Sequence, residues 1–527
     1  MASECQPGSS VALTEDLGVD SFVIEPSAEV DGDQRVSGFS PLSIIDLPSA
    51  LISEILKSLE PKELGVVACV STVLHRLSSD HIVWKDFYAQ RWGLSSVPKQ
   101  LDLGAADVKT WKQLFVERVY MSKIFMGRYN VELLHGHTEA VRAVFILNCA
   151  KLVFTSGYDS VVRMWDLEDG LSIASSMPLG CTIRAVAADH RLLVAGATDG
   201  FIHCWEASEG ATRLFELRTS NNQNAGFRLW EHHGPITCLS LDNTRIYSGS
   251  WDMTIRVWDR SVYQCVQVLG HSDWVWSLAP HCNTLASTSG SDLYLWDTAS
   301  GAQIALVQAA HVGNSLGLAR SQSGDLLFTG GEDGAIHMFQ LRNDDGQNDC
   351  DVNQLVSWIP HTGPVHSLAF EYPWLVSASS DGKLSLLDIR VPLKTKKQTL
   401  RRNFRTTNFQ KNPSKVRVEP PQRMLHGFGC NLFSVGIGAQ RIVCGGDEGV
   451  VRIWNFSKAL EVEQRARALR GVRLENRMRR RKLQTEMSGK SSRADQCSVA
   501  AKKNALNGDR SSSIWHNKRC VSGKLKA

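Results

Sequence analysis

The sequence predicts an all-β propeller of seven blades, preceded by a small all-α unit and a helical linker, with disordered termini. Two observations carry the prediction of the propeller. Seven similar segments recur along residues 129–455, each with a pair of small residues, then an acid, then a large closing residue. Alternating apolar and polar residues precede the acids, as in ITCLSL (236–241). This period of two is typical of β-strands.

The spacing of the closing residues supports four-stranded blades. These residues are Trp165, Trp205, Trp258, Trp296, Phe339, Leu387 and Trp454. Their separations are 40, 53, 38, 43, 48 and 67 residues, and most are close to one propeller blade. A histidine precedes the acid in every repeat except the second. The segment YNVELL (129–134) precedes the first repeat, and we expect it to supply the outer strand of blade seven and close the ring.

This repeat resembles the WD-40 family over residues 129–455. The resemblance implies that a His, a Ser or Thr, an Asp and a Trp form a buried hydrogen-bonded chain in each blade. We therefore expect structural roles, rather than metal binding or catalysis, for His137, Asp159, Trp165, Asp252, Trp258, His271, Trp296, Asp333, His361, Asp381 and Trp454. Blades two, four, five, six and seven depart from the motif, and we expect them to depend more on apolar packing.

Residues 44–92 carry the spacing of short amphipathic helices. Leu47-Pro48 opens the first helix and Glu60-Pro61 ends it, while apolar residues recur on one helical face. A unit of about fifty residues buries only a small core, so its surplus of large apolar side chains predicts a partner groove. The Leu-Pro opening followed by PKEL (61–64), ACVS (68–71) and Trp84 resembles the F-box.

The F-box resemblance implies binding to a Skp-class adaptor and, through it, to a cullin scaffold. By position, the expected adaptor contacts are Leu47, Pro48, Ile52, Ile55, Leu56, Leu59, Leu64 and Val70. Leu74 departs from the pattern, since many F-boxes have tryptophan there. The alternative is a plain amphipathic hairpin that packs on the propeller.

Charge divides the chain into segments. We assign 1–40 to an acidic disordered terminus (net −7), 41–92 to the F-box, 93–128 to a helical linker, 129–456 to the propeller and 457–527 to a basic helix and disordered tail. Residues 390–423 carry a net +10, and residues 456–527 a net +13. The first of these includes a basic loop insert at 391–423, which the repeat spacing places between blades six and seven. In the linker, Trp111, Phe115, Val119 and Tyr120 are expected to face neighbouring domains.

The WD-40 resemblance also implies where a target would bind. In that family two positions per blade line the narrow face of the propeller, one early in the first strand and one just before the acid. Alignment of the repeats places Arg142, Tyr158, Arg184, Trp251, Trp276, His366 and Phe433 there. Arginines and aromatic residues dominate protein-recognition hot spots, and arginine would suit a phosphate or carboxylate on the target. Some of these side chains would instead pack between blades.

The basic tail contains Arg479, Arg480, Arg481 and Lys482. Such a cluster is typical of a nuclear-import signal, and we expect a nuclear or cytoplasmic location. A solvated helix face and a nonspecific nucleic-acid anchor remain alternatives.

Composition excludes several other classes of function. We expect no secretory signal, since the first residues lack a basic start and an apolar core, and no apolar run reaches the length of about 18 residues that would cross a membrane. The 13 cysteines include no Cys-x-x-Cys pair, so we expect small buried hydrophobes and neither disulfides nor a metal. No phosphate-binding loop or nucleophile motif occurs. We therefore expect no cofactor and no enzymatic activity of the chain itself.

Together these features predict the substrate-recognition subunit of a Skp–cullin–F-box ubiquitin ligase, with an unknown protein target. Alternatives are a non-ligase WD-repeat scaffold and an RNA- or chromatin-associated interaction protein that binds through the basic tail. Recruitment by the other, propeller-binding cullin adaptor would need an arginine three residues after a closing tryptophan, and Trp258-Asp259-Arg260 misplaces it by one.

Overall fold

The computed structural model describes residues 44, 47–93, 110–207, 214–218, 223–224, 226–343, 350–390, 417–418, 423–426, 429–438 and 440–495. The acidic terminus 1–40, most of the insert 391–423 and residues 496–527 lie outside the described residues. The chain divides into two compact units after Ser78.

The first unit contains three short helices, α1 (Ser49–Lys57), α2 (Pro61–Val67) and α3 (Thr72–Leu77). Pro61 is the first residue of α2, and Glu60 and Glu63 form a reciprocal capping box around it. Proline suits this position because its missing N–H would have no partner within the helix. The Oγ of Ser71 accepts the backbone N–H of Leu74 and starts α3.

The second unit begins with α4 (His81–Trp92) and α5 (Trp111–Ser122), followed by a 3₁₀ turn at Lys123–Met126. We assigned α4 to the same segment as α1–α3, and that assignment stays a prediction; the compact units divide before α4. Aromatic rings join α4 to α5: Phe115 lies 5.2 Å from Trp84 and 5.4 Å from Trp92 between ring centroids. Trp111 packs at 5.5 Å from Tyr88.

Within the described residues, the second unit also contains the strands β1 (Asn130–Leu134), β2 (Val141–Leu147), β3 (Leu152–Gly157), β4 (Val162–Asp166), β5 (Ser172–Ser175), β6 (Ile183–Ala188), β7 (Leu192–Ala197), β8 (Phe201–Glu206), β9 (Phe227–Trp230), β10 (Ile236–Leu241), β11 (Arg245–Ser250), β12 (Thr254–Asp259), β13 (Gln264–Gly270), β14 (Val275–His281), β15 (Thr284–Ser289), β16 (Asp292–Asp297), β17 (Gln303–Val307), β18 (Ser315–Arg320), β19 (Leu326–Gly331), β20 (Ile336–Asn343), β21 (Cys350–Trp358), β22 (Val365–Glu371), β23 (Trp374–Ser379), β24 (Lys383–Asp388), β25 (Arg417–Val418), β26 (Arg423–His426), β27 (Leu432–Gly438), β28 (Arg441–Gly446) and β29 (Val451–Asn455).

These strands form seven sheets, which confirms the predicted seven-bladed propeller. Blade one is β2–β5, and each later blade repeats the same antiparallel order. The inner strands β2, β6, β10, β14, β18, β22 and β27 neighbour one another around the ring. The second strand of each blade is buried over at least five of its six residues, because it lies within its sheet and between the neighbouring blades.

The ring closes as the sequence predicts. Strand β1 pairs antiparallel with β29 and becomes the outer strand of blade seven, with Val131 opposite Trp454. The side chain of Asn455 donates a hydrogen bond of 2.8 Å to Glu132 across this pair. Pairing the two ends of the domain covers strand edges that would otherwise be exposed.

The basic insert lies inside blade six, which corrects our placement of it between blades. Its flanks are β24 and β26, the third and fourth strands of that blade. The repeat motif ends at the third strand, so spacing between closing residues cannot tell an insertion before the fourth strand from one after it. Near the end of the insert, β25 pairs parallel with β21 of blade five.

After blade seven the chain continues as one long helix, α6 (Ser457–Asp495). This helix extends thirteen residues beyond the 457–482 that we predicted. Leu483, Gln484, Glu486 and Met487 favour a helix, whereas the stretch after them contains Ser and Gly. In the part of the chain that the structure describes, no helix is long and apolar enough to span a membrane.

Candidate functional site

A buried polar chain crosses blade one from its first loop to its core. The Nδ1 of His137 lies 2.7 Å from the carboxylate of Asp159, and its Nε2 lies 2.7 Å from the Oγ1 of Thr155. The indole N–H of Trp165 donates to the same Oγ1 at 2.8 Å. The chain ties the loop before β2 to the β3–β4 turn, and all four of its side chains take part in these structural hydrogen bonds.

Other blades retain different parts of this chain. Blade three repeats it fully, with Asp252 and Trp258 joined through His232 and Ser248. Asp333 of blade five and Asp381 of blade six each bind the Nδ1 of their own histidine, His311 and His361.

Blades four and seven depart further. In blade four, His271 and Trp296 share the hydroxyl of Ser287, but the Nδ1 of His271 lies against the carbonyl of Leu269 instead of an acid. In blade seven, Trp454 is buried in an apolar cluster.

We expect Asp159→Asn to destabilise the propeller by about 2–4 kcal/mol, since it removes a buried charge-assisted bond. Burial opposes ionisation of Asp159, but the hydrogen bond and charge of His137, together with the backbone N–H groups of Val161 and Thr138, outweigh it and lower the pKa of the carboxyl. A carboxyl whose pKa is lower in the folded state than in the unfolded state stabilises the fold at pH values above its unfolded-state pKa. This stabilisation is lost as the pH falls through the folded-state pKa. The difference in free energy of unfolding between wild type and variant, measured by urea denaturation, should therefore shrink below about pH 4.

The control for this prediction is Asp169→Asn, a substitution of the same type on an exposed side chain in the same blade. It should leave the urea midpoint nearly unchanged. Equal losses in the two variants, or a gap that stays constant down to pH 2, would contradict the role given to Asp159.

The rim of the propeller is defined by a β-bulge near the start of every inner strand. The register between the first and second strands shifts across one residue in each blade. Five predicted rim residues occupy these bulges: Arg142, Arg184, Trp276, His366 and Phe433. A bulge redirects a side chain out of the sheet alternation, so these side chains share one end of the channel.

The other two predicted rim residues, Tyr158 and Trp251, lie in the turns just before the blade acids and pack against the bulge residues. The guanidinium of Arg142 lies 4.0 Å from the ring centroid of Phe433 and 5.8 Å from that of Tyr158. Arg184 lies 4.5 Å from the ring of Trp251. Stacking on aromatic faces holds both arginines in place while leaving their N–H groups available for a ligand.

The rim is electropositive over blades one and two. Burial lowers the pKa of Arg184 to about 10, and repulsion from Arg142 acts in the same direction. Burial, together with the charge of Arg142, lowers the pKa of His366 to about 4 and keeps it neutral at pH 7. Among the described residues, neither arginine forms a salt bridge, although the charge of Asp447 acts on Arg142 and opposes the effect of burial on its pKa. Exposed carboxylates, Glu332 and Asp447, lie on blades five and seven.

Three tryptophans form a cluster beside Arg184. Trp251 stacks on Trp274 with 4.8 Å between ring centroids, and Trp276 contacts both rings edge-on. Within the described residues, the indole N–H groups of Trp251 and Trp276 have no hydrogen-bond partner. Trp274, which is 42% exposed, was not among our predicted rim residues. Trp274 precedes β14 and therefore lies outside the positions that the alignment of the repeats compared. Its place two residues before Trp276 was the signal that could have identified it as a rim residue.

The first unit exposes part of its apolar surface and buries the rest. Among the predicted adaptor contacts, Ile52, Leu56 and Leu64 are at most 5% exposed and pack inside the unit itself, and their direct contact with an adaptor stays a prediction. Leu47, Pro48, Ile55 and Val70 are exposed, and Leu59 is partly exposed. Three exposed residues that we had not chosen complete this apolar surface: Leu51, Val66 and Val73.

The opposite mouth of the channel contains a cavity of about 540 Å³, lined partly by Arg91 and Trp92 of α4 and by Arg118 of α5. The basic cluster Arg479–Lys482 is exposed on α6. Its role in nuclear import stays a prediction.

Two family models match parts of this architecture. The F-box-like family matches residues 44–90, and the family WD domain, G-beta repeat matches residues 129–166, 227–259 and 263–297. The crystal structure of the WD40 beta propeller domain of Doa1 superposes with a TM-score of 0.48 at 19% identity, covering 62% of this chain and 97% of that one.

Two similar plant proteins differ in how much of their length is shared. Autophagy-related protein 16 of Arabidopsis thaliana is 26% identical over 250 residues, which are 40% of this chain and 49% of that protein. An F-box/WD-40 repeat-containing protein of Arabidopsis thaliana is 60% identical over 485 residues, which are 92% of this chain and 88% of that protein. Because this likeness includes both the helical unit and the propeller, the chain belongs to the F-box/WD-40 repeat-containing proteins.

Proposed function

We propose that this protein is the substrate-recognition subunit of a Skp–cullin–F-box ubiquitin ligase. The F-box binds the Skp-class adaptor, and the propeller rim binds a target protein for ubiquitination. The protein contributes no covalent chemistry in this scheme, because both of its matched families are interaction domains.

The observation that carries the proposal is the exposed apolar surface of the first unit. Leu51, Ile55, Val66 and Val70 are 45–70% exposed, although their side chains would each gain about 1.5–3 kcal/mol from burial. A soluble protein seldom leaves such a set uncovered unless a partner covers it. An adaptor groove that accepts short amphipathic helices would fit this surface.

The rim supports the second half of the proposal. It combines two arginines fixed on aromatic rings with a cluster of tryptophans in which the ring of Trp274 is 42% exposed. Arginine and tryptophan are the residues on which interface energy concentrates. We expect the target to place an acidic or carbonyl-rich segment over blades one to four.

Reconstitution tests the ligase role. The purified full-length chain should form a stable complex with a Skp-class adaptor and, through it, with a cullin scaffold on size-exclusion chromatography. A chain that stays separate from the adaptor at micromolar concentrations would favour a non-ligase scaffold instead.

Proximity labelling in cells tests the rim. We expect Arg184→Ala combined with Trp274→Ala to remove the target from the labelled set while leaving the adaptor in it, with a loss of at least about 2 kcal/mol in target binding. The control is Trp230→Ala, which removes a tryptophan that is 58% exposed in blade two and lies outside the rim. An unchanged labelled set in the rim variant would show that the target binds elsewhere.

A further inference from the structure

Blade two has lost the buried polar chain that ties its neighbour together. At the positions of His137 and Thr155 in blade one, the matching register of blade two places Leu179 and Ala195. The acid is retained as Asp199 and the tryptophan as Trp205. Within the described residues, the indole N–H of Trp205 has no hydrogen-bond partner. In blade two the first loop and the β7–β8 turn are joined by the backbone hydrogen bond from the N–H of Thr198 to the carbonyl of Thr182, at 3.0 Å, without the side-chain chain of blade one.

A different set of side chains occupies this place. His203 lies on β8 directly opposite Ala195, and its ring stacks on Trp205 with 6.2 Å between centroids. One nitrogen of His203, Nε2, has no hydrogen-bond partner among the described residues, although the residue is only 5% exposed. The ligand atoms of Cys181, Asp199 and His203 all lie within 4.8 Å of one another.

This spacing suits a metal ion. Three atoms no more than 4.8 Å apart share a point within about 2.8 Å of each, and Zn²⁺ binds sulfur at about 2.3 Å and nitrogen or oxygen at about 2.0–2.2 Å. Small side-chain rotations would shorten the distances of about 2.8 Å to these zinc–ligand distances. His203 is buried while Asp199 is exposed and Cys181 partly exposed, so an ion would enter from solvent and retain a water as its fourth ligand.

We propose that Cys181, Asp199 and His203 bind a zinc ion that replaces the missing polar chain of blade two. Cys181 precedes β6, Asp199 lies in the β7–β8 turn and His203 lies on β8. The ion would thus join the same loop and turn that His137 and Asp159 join in blade one. Sulfur and imidazole ligands favour Zn²⁺ over Mg²⁺ or Ca²⁺, which prefer oxygen. This proposal does not depend on the ligase function.

Blade five shows why a similar set does not make the same site. His311, Asp333 and His337 also lie within 4.8 Å of one another. There, however, both ring nitrogens of His311 are engaged, Nδ1 with Asp333 and Nε2 with Thr329. A metal would have to break the polar chain that stabilises that blade, whereas in blade two the chain is already absent.

Cobalt titration of the untagged full-length protein tests the site, because Co²⁺ reports a thiolate ligand through a sulfur-to-metal charge-transfer band. We expect one equivalent of Co²⁺ to produce this band and Zn²⁺ to abolish it. Cys181→Ser should remove the band and weaken binding by more than about 10-fold, and His203→Phe, which keeps a ring against Trp205, should also weaken it. Cys149→Ser, at an exposed cysteine of blade one, should have no effect.

Thermal unfolding gives an independent measurement. Saturating Zn²⁺ should raise the Tm of the wild type, since a ligand that binds only the folded state stabilises it, and should not raise that of Cys181→Ser. The wild-type titration decides the question even if a variant fails to fold. Absence of the sulfur–cobalt band, or its persistence in Cys181→Ser, would overturn the proposal.

Discussion

Replacing Leu51 and Ile55 together by aspartate is expected to weaken adaptor binding by about 100-fold or more. The two residues lie four apart on α1, so their side chains are neighbours on one helical face. They are 54% and 45% exposed, and each would lose about 1.5–3 kcal/mol of apolar burial in the complex. Two new carboxylates in an apolar groove would add a desolvation cost. Isothermal titration calorimetry with the purified adaptor would measure the loss.

The same helix offers a matched control. Glu54 and Lys57 form an exposed ion pair of 2.9 Å on α1, and such pairs contribute about 0–1 kcal/mol. Replacing both by alanine should leave adaptor affinity within about 5-fold of wild type. Circular dichroism should show an unchanged fold in both variants, because Ile52 and Leu56 carry the core. If both double variants bound equally well, the apolar surface would not be the adaptor site.

Trp92→Ala is expected to destabilise the second unit by about 3–5 kcal/mol. Trp92 is 3% exposed and packs at 5.2 Å from Tyr88 and 6.1 Å from Tyr372 between ring centroids. Its indole N–H donates to the backbone carbonyl of Tyr372 at 2.9 Å. Beside it, Arg118 forms an ion pair of 2.7 Å with Glu371. This contact fixes α4 and α5 on blade six, so its loss should free both helices.

Hydrogen exchange would separate local from global effects of that substitution. Amides of α4 and α5 should exchange faster in Trp92→Ala, while the strands of blade three keep their protection. Trp92→Phe retains the ring and should lose only about 1 kcal/mol for the missing hydrogen bond. Trp230→Ala, at an exposed tryptophan, should change stability by less than about 1 kcal/mol. Exchange rates of α4 that match wild type would contradict the anchoring role.

Much of the propeller followed from sequence because its repeats are local patterns. The alternation and spacing of the repeats predicted that β1 pairs with β29. The last repeat lacks a fourth strand at the end of the domain, so this strand has to come from the beginning of the domain. Alignment on the acids found the bulge residues, because the distance from bulge to turn is set by strand length. The alignment could not predict that the insertion lies inside blade six. It also could not identify Trp274 as a rim residue, because Trp274 precedes the aligned strand.

The helical unit shows a different limit. Apolar residues cover much of the circumference of α1, so the spacing is compatible with burial of Ile52 and Ile55 as well as with burial of Leu51 and Leu56. Periodicity therefore identified α1 but could not tell which side faces its own core and which faces outward. Blade two shows a third limit. Its missing histidine was evident, but only folding brings Cys181, Asp199 and His203 together, since 22 residues separate the first from the last.

The pairing of β1 with β29 has a consequence for biosynthesis. The ribosome releases residues 130–134 long before residues 451–455, so the circle stays incomplete until nearly the whole propeller has been translated. During that interval the nascent chain carries two unpaired strand edges, which invite association with other chains. A premature stop before residue 451 would leave them unpaired permanently. We infer that truncated products are recognised by chaperones or proteases even when six blades are intact.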